Sequence, residues 1–182
     1  KHRLTQYHEF FVQNIENGQK VLDIGCGYGA VARSIAAAHP NSKVLGLDYC
    51  EDSIRQADST KNPKNLSFIL SDVHDGLPTG DWDVVVLSNV LEHIVDRIAL
   101  LNSLTRSLPN CKFLIRVPLF ERDWQMALRK ELNVDFRSDP DHKIEHSLSE
   151  FENEINCSGL SVCEFKTLWG EICSVCHEQR VR

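Results

Sequence analysis

The sequence contains no apolar run that approaches the roughly 20 residues of a membrane span. Its first residues, Lys1-His-Arg-Leu-Thr5, lack the apolar core of a secretory signal. These absences predict a cytoplasmic protein with no membrane partner. An excess of positive charge is also lacking, because 20 Lys and Arg side chains stand against 26 Asp and Glu, a net charge of −6. Without a positive field to attract phosphate backbones, a nucleic-acid partner is disfavoured.

Internal repeats, low-complexity tracts and linker-like segments are absent as well, so residues 1–182 are expected to form a single domain. The composition, 42% hydrophobic and 25% charged, is that of an ordinary globular protein. The seven cysteines are an odd number, and Cys111, Cys163 and Cys173 fall inside predicted strands. We therefore expect reduced cysteine side chains that pack in the core.

Short apolar runs alternate with helical patterns, which predicts an α/β fold with a parallel sheet and helices on both faces. The predicted strands span 20–24, 43–47, 66–70, 82–87, 112–117, 160–168 and 171–178. The predicted helices span 3–16, 30–38, 51–58, 95–107, 121–132 and 147–157. A capping box at Ser147-Leu-Ser-Glu150 and a two-residue hairpin turn at Trp169-Gly170 support the last elements. The segment 118–146 interrupts the alternation and is predicted to be a lid or substrate wall.

The most informative stretch is Lys20-Val-Leu-Asp-Ile-Gly-Cys-Gly-Tyr-Gly-Ala30, where an apolar strand runs into three alternate glycines and then a helix. Such a loop lets the backbone approach a nucleotide cofactor closely. Its spacing fits both the dinucleotide fingerprint G-x-G-x-x-A and the glycine pattern of S-adenosylmethionine sites. Asp23, at the end of the strand, would repel a pyrophosphate and attract an ammonium and sulfonium ligand. The residues therefore favour a cationic cofactor, and NAD remains the alternative.

Two further acids follow predicted strands. Asp48 lies nineteen residues beyond Gly29, where a carboxylate can accept both hydroxyl groups of a ribose. It could also cap the helix that begins near residue 51. Asp72, in Leu70-Ser-Asp-Val-His74, could accept the adenine amino group while the Val73 N–H meets a ring nitrogen, or it could be a turn residue.

With these positions the chain resembles the class I S-adenosylmethionine-dependent methyltransferases over nearly its whole length. The matching motifs are Val21-Leu-Asp-Ile-Gly-Cys-Gly-Tyr-Gly29, Gly46-Leu-Asp48, Ser71-Asp72 and Ser88-Asn-Val-Leu-Glu-His-Ile94. The resemblance implies a Rossmann-like, doubly wound sheet of seven strands in the order 3-2-1-4-5-7-6, with the last strand antiparallel. By analogy with similar enzymes, a helix over 1–17 is expected to cover the pocket, and it could equally be a dimer contact.

The resemblance assigns the cofactor contacts as well. The loop from Gly25 to Gly29, including Cys26, Gly27 and Tyr28, would pack against the methionine part of S-adenosylmethionine. Asp48 would hold the ribose, Asp72 and Val73 the adenine, with Tyr49 beside the ring. Ser88 would line the pocket near the transferred methyl group.

Methyl transfer is an in-line displacement that needs alignment and exclusion of water, and a base only where the acceptor must lose a proton. Histidine suits that task near neutral pH. We expect His93, after strand four, and His142, before the capped helix, to be the catalytic candidates. His93 could instead have only a structural role at the start of a helix, and His146 could pack beside the Ser147 cap.

The predicted function is methyl transfer to an oxygen or nitrogen of a small or medium-sized acceptor, by a monomer or homodimer. One alternative is a domain that binds S-adenosylmethionine without catalysis. Another is metal-assisted RNA 2′-O-methylation, because Glu92-His93 and Asp141-His-Lys-Ile-Glu-His146 resemble the metal-site segments of small-RNA methyltransferases. Asn89 stands where that family has a further carboxylate, which weakens a divalent site, so no metal is predicted.

Overall fold

A computed structural model describes residues 5–179 and contains seven strands that alternate with helices along the chain. The strands are β1 Lys20–Ile24, β2 Lys43–Asp48, β3 Leu66–Leu70, β4 Val84–Ser88, β5 Lys112–Pro118, β6 Leu160–Leu168 and β7 Glu171–Glu178. The α-helices are α1 His8–Gln13, α2 Ala30–Ala38, α3 Glu51–Ser59, α4 Arg97–Ser107, α5 Trp124–Glu131 and α6 Leu148–Cys157. Short 3₁₀ turns cover Leu91–His93 and Phe120–Arg122. No helix of the described part is long and apolar enough to cross a membrane.

The strands form one sheet in the order β3-β2-β1-β4-β5-β7-β6. β1 to β5 pair in parallel, whereas β7 runs antiparallel to both β5 and β6. The predicted doubly wound α/β sheet and its strand order are therefore confirmed. The order reverses between β1 and β4, which opens a crevice at the carboxyl ends of these strands.

The central strands are mostly apolar because both faces of the sheet are covered, and the buried polar exceptions are Asp23 in β1 and Arg116 in β5. In β4, Val84 and Val86 belong to one core cluster together with residues of α1, α2 and α3, while Val85 and Leu87 belong to a second cluster together with residues of α4 and α6. Parallel strands buried on two sides have this continuous pattern.

Two helices begin later than the periodicity predicts, because a capping aspartate sets the start of each. The Asp96 side chain accepts a hydrogen bond from the Ala99 amide, so α4 begins at Arg97 and not at residue 95. The Asp123 side chain likewise accepts a hydrogen bond from the Gln125 amide, so α5 begins at Trp124 and not at residue 121. The first helix is shorter than the predicted 3–16, and residues 3 and 4 lie outside the described part.

The capping box and the hairpin agree with expectation. The Ser147 hydroxyl accepts from the Glu150 amide at 3.2 Å, and the Ser147 amide donates to the Glu150 carboxylate at 2.9 Å. Trp169 and Gly170 both have positive φ, 54° and 78°, as a tight two-residue hairpin turn requires.

All seven cysteines are free, as predicted, but they are not all in the core. Cys111, Cys173 and Cys176 are buried, whereas Cys157 and Cys163 are exposed. The expectation for Cys163 was wrong because β6 is an edge strand with much of its length exposed to solvent.

Candidate cofactor and acceptor site

A cavity of about 660 Å³ lies at the carboxyl ends of β1 to β4. Its wall is built from the segments that follow these strands and from one loop of the segment 118–146. The lining residues are Ile24, Gly25, Leu47, Asp48, Tyr49, Cys50, Ser53, Ser71, Asp72, Val73, His74, Asn89, Val90, His93, Ile94, Asp141 and Lys143. A crevice at the switch point of an open α/β sheet is the usual ligand site of such folds.

The glycine loop turns from β1 into α2 with positive φ at Gly25, Gly27 and Gly29. A Cβ atom at Gly25 would lie 2.7 Å from a methyl group of Val90, and one at Gly29 would lie 2.3 Å from the Phe68 ring. Larger residues are excluded at both places by conformation and by space. Gly25 forms part of the cavity wall, whereas residues 26–29, which include Cys26 and Tyr28, are not among its lining residues.

Asp48 connects the glycine loop to the cavity. Its Oδ2 accepts a hydrogen bond from the Gly27 amide at 2.8 Å, and its Oδ1 accepts from the Cys50 amide at 2.9 Å. The residue is only 8% exposed, yet it lines the cavity. Each carboxylate oxygen has two lone pairs, so each keeps one acceptor position for a ligand hydroxyl. The alternative role of Asp48 as a cap of the helix near residue 51 is met in part, because Asp48 accepts from the amide of Cys50, the residue before α3, although α3 has no side-chain cap of its own. The bond from Gly27 was not foreseen, and together the two backbone bonds make Asp48 a structural brace.

The other predicted adenine-side residues meet at the same cavity. Asp72 accepts a hydrogen bond from the His74 amide at 2.9 Å, so one oxygen holds the turn and the other stays available. Val73 is partly buried against the core, and Tyr49 is 78% exposed. All three line the cavity.

Asp23 and Ser88 lie deeper, and neither lines the cavity. Asp23 is 1% exposed, and burial raises the pKa of its carboxyl to about 7. Within residues 5–179, neither Asp23 oxygen nor the Ser88 hydroxyl has a hydrogen-bond partner. Such buried polar atoms are costly to leave unpaired.

His93 and His142, far apart in sequence, are brought together. Their ring centroids lie 4.8 Å apart with the ring planes at 80°. His93 is exposed and lines the cavity, whereas His142 is 6% exposed and lies behind it. Partial burial and the nearby His142 lower the pKa of His93. His146 is fully buried, 3.2 Å from a Glu154 oxygen, and is not part of the cavity wall.

The segment 118–146 is anchored at both ends. Leu119 and His146 form a β-bridge, in which the Phe120 amide donates to the His146 carbonyl at 2.8 Å. The Glu145 carboxylate is buried and lies 3.3 Å from Arg122. Burial acts to raise the pKa of Glu145, but hydrogen bonds from Ser138 and His142 outweigh it and hold the value below normal. The anchored segment places Asp141 and Lys143 in the cavity wall.

A second polar network lies where α1 approaches the sheet. Arg116 is 3% exposed, donates to Asn89 and places its guanidinium 3.9 Å from the centre of the Tyr7 ring. Asn89 has a φ of 58° and donates to Glu171 at 3.0 Å. Tyr7 therefore stacks on a cation close to the cavity wall, a contact that sequence patterns do not reveal.

The fold and the glycine-loop site together define a class, and comparison with known sequences agrees with it. The profile of the methyltransferase domain family matches residues 15–172. The chain belongs to this family, the class I S-adenosylmethionine-dependent methyltransferases.

Relatives with assigned activities are only distantly similar. A malonyl-[acyl-carrier protein] O-methyltransferase of Ilyobacter polytropus is 27% identical over 144 residues, 79% of this chain and 54% of that protein. A ubiquinone biosynthesis O-methyltransferase of Vibrio parahaemolyticus is 33% identical over 90 residues, which cover 47% of this chain and 37% of that protein. The chain thus spans about half or less of the length of these relatives.

Solved structures share the fold at low identity. The magnesium protoporphyrin IX methyltransferase of Synechocystis, solved with bound S-adenosylhomocysteine, has a TM-score of 0.73 and 17% identity, covering 97% of this chain and 84% of that one. A small RNA methyltransferase has a TM-score of 0.77 and 17% identity, covering 97% of this chain and 25% of that one.

Proposed function

We propose that this protein transfers the methyl group of S-adenosylmethionine to an oxygen or nitrogen atom of a small or medium-sized acceptor. The observation that carries the proposal is the cavity at the switch point of the sheet, where the glycine loop and Asp48 meet. In this proposal residues 1–182 act as one domain, in which the N-terminal segment that contains α1 covers the pocket and 118–146 forms the lid.

The donor would lie along the carboxyl ends of β1, β2 and β3. The free lone pairs of Asp48 suit the two ribose hydroxyls, and Asp72 with Val73 suits the adenine edge. The Asp23 carboxyl, two residues before Gly25, has a pKa of about 7 and is therefore about half ionised at pH 7; its ionised form would place a negative charge toward the ammonium and sulfonium groups. An uncharged or anionic ligand group beside Asp23 would gain no electrostatic attraction from its carboxylate.

The acceptor would enter between β4 and the lid, where His93, Asp141 and Lys143 form the wall. In the reaction a lone pair of the acceptor forms the new bond to the methyl carbon, and the electrons of the broken C–S bond stay on sulfur. The lowered pKa of His93 keeps its ring neutral at pH 7, so it can accept a proton from an acceptor hydroxyl. The O-methyltransferases among the relatives are consistent with an oxygen acceptor.

Transfer of labelled methyl groups tests this proposal. The protein is incubated with S-adenosylmethionine labelled in the methyl group and with separate pools of small hydroxylated, small aminated and RNA acceptors. We expect label in a small-molecule pool and at least a tenfold lower rate in Asp48→Ala at subsaturating donor. Label only in RNA would contradict the acceptor class. Binding of the donor with no transfer to any pool would favour the non-catalytic alternative.

A further inference from the structure

Arg116 lies near the carboxyl end of β5, and its guanidinium group is buried with little compensation. The residue is 3% exposed, and within residues 5–179 its Nε and Nη1 atoms have no hydrogen-bond partner. Its Nη2 donates to the side-chain oxygen of Asn89. Among the described residues its ion-pair partner is Glu171, which lies 3.9 Å from Nε, too far for a hydrogen bond. A buried cation with two unpaired donor nitrogens is costly unless an anion joins it.

Aromatic rings hold this guanidinium group on one side. Its central carbon lies 3.9 Å from the centre of the Tyr7 ring and 6.0 Å from the centre of the Phe11 ring. Stacking on a ring occupies a face of the planar group, whereas its N–H bonds lie in the plane and are not used by the ring. The side chain is therefore fixed with donors to spare, an arrangement that suits the two oxygens of a carboxylate.

The guanidinium group lies directly behind the half of the cavity assigned to the acceptor. Asn89, which accepts from Arg116, lines the cavity together with His93 and Lys143. In the sheet Arg116 pairs with Ser88, and β4 separates β5 from β1 and the glycine loop. The proposed donor contacts follow β1, β2 and β3, so an anion that reaches Arg116 would belong to the acceptor.

Asn89 is the group that such an anion would displace. It accepts from Arg116 and donates to Glu171 at 3.0 Å, and it is only partly buried. A carboxylate in place of its amide oxygen exchanges a neutral acceptor for a charged one, and hydrogen bonds between ionised groups are about twice as strong as neutral ones. The displaced amide can be hydrated, because Asn89 lines the cavity. The exchange therefore favours the anion.

We propose that Arg116 binds a carboxylate of the methyl acceptor and thereby selects acidic acceptors. The acceptor is then a small hydroxycarboxylic or aminocarboxylic acid, held by its carboxylate while its hydroxyl or amino group faces the donor. The inference rests on the proposed methyl transfer. The lone pair of the hydroxyl oxygen or amino nitrogen forms the bond to the methyl carbon, the electrons of the C–S bond stay on sulfur, and the carboxylate held by Arg116 takes no part in the bond changes.

Methyl transfer to matched acids and amides tests this proposal. The full chain is incubated with methyl-labelled S-adenosylmethionine and either a pool of small hydroxy- and aminocarboxylic acids or a pool of their primary amides. Wild type should methylate the acids roughly tenfold faster or more, and Arg116→Gln should show almost no preference. In Arg116→Lys, which keeps the charge but loses the planar fork, the preference should be intermediate. For an acid that reacts, Arg116→Gln should raise KM more than it lowers kcat.

The ratio of the two rates does not depend on how much of a variant is folded, because both rates come from one sample. Lys112→Gln is the matched control: it removes a positive charge from the other end of β5 and should leave the preference and KM unchanged. Loss of the preference in Lys143→Ala but not in Arg116→Gln would place the anion at the cavity-wall lysine and overturn the proposal.

Calorimetry with S-adenosylhomocysteine on the same variants separates donor from acceptor. We expect equal affinity in wild type and Arg116→Gln. Weaker binding in Arg116→Gln with an unchanged preference for acids would assign the guanidinium group to the donor and overturn the proposal. Equal or faster transfer to the amides by wild type would overturn it and leave the proposed function intact, whereas binding of S-adenosylhomocysteine with no transfer to either pool would defeat both.

Discussion

Replacement of Asp23 by asparagine tests whether the charge in the glycine-loop strand is kept at a cost to stability. Asp23 is 1% exposed, and its carboxyl has a pKa of about 7, raised by burial from 3.8. Because the folded state holds the proton more tightly than the unfolded state, ionisation opposes folding. The cost is absent well below pH 3.8, grows between pH 3.8 and 7, and is constant above that range.

The magnitude follows from the size of the shift. Each unit of pKa difference corresponds to about 1.4 kcal/mol, so the full cost of ionised Asp23 is on the order of 4 kcal/mol. At pH 5 only about 1.5 kcal/mol of this cost is expressed, and at pH 8 nearly all of it. An asparagine side chain cannot ionise, so the stability of Asp23→Asn relative to wild type should rise by about 2 to 3 kcal/mol between pH 5 and pH 8.

Urea unfolding of both proteins without ligand, at pH 5 and pH 8, measures this difference. The comparison across pH cancels the effect of burying an amide, which is the same at both values. The same variant should bind S-adenosylmethionine more weakly at pH 8, because the negative charge near the sulfonium is gone. A stability difference that does not change with pH would show that Asp23 ionises normally and would refute the reasoning.

Three further substitutions test the role of Asp48, the glycine loop and the ion pair between Glu154 and Arg97. Asp48→Ala should weaken S-adenosylhomocysteine binding by about 1.5 to 3 kcal/mol in calorimetry, because a charged acceptor is lost; unchanged affinity would place the ribose elsewhere. Gly29→Ala should lower the melting temperature, since φ is 74° and the new methyl would lie 2.3 Å from the Phe68 ring, whereas an unchanged melt would show that the loop can relax. Glu154→Gln replaces the buried carboxylate 2.7 Å from Arg97 by a neutral amide and should cost about 3 kcal/mol at pH 7 in urea unfolding. Hydrogen bonds lower the pKa of Glu154 against the effect of burial, so this cost should shrink as the pH falls below about 4.5; a cost independent of pH would contradict the ion pair.

The sheet and the glycine loop were predictable because their signals are local. An apolar run buried on both faces marks β4, and the positive φ values of the loop need glycines that stand close to one another in sequence. The capping box at Ser147 is equally local. The start of α4 was missed although Asp96 was visible, because helical periodicity continues upstream of a cap.

The resemblance to small-RNA methyltransferases indicates that Glu92, His93 and His142 lie together, but local sequence patterns do not. Glu92 and His142 are separated by fifty residues, and the loop that carries His142 has no periodic pattern. Their contact depends on the bond from Lys143 to the Glu92 carbonyl, a main-chain interaction with no signature in side-chain type. The bond from the Gly27 amide to Asp48 was hidden for the same reason.

Calorimetric titration of the wild-type protein with S-adenosylhomocysteine and, separately, with NAD tests the central claim most directly. We predict one S-adenosylhomocysteine per chain, bound at the cavity that Gly25 and Asp48 line, and no heat from NAD. Binding of NAD together with no response to S-adenosylhomocysteine would contradict the claim that this crevice receives the sulfur cofactor.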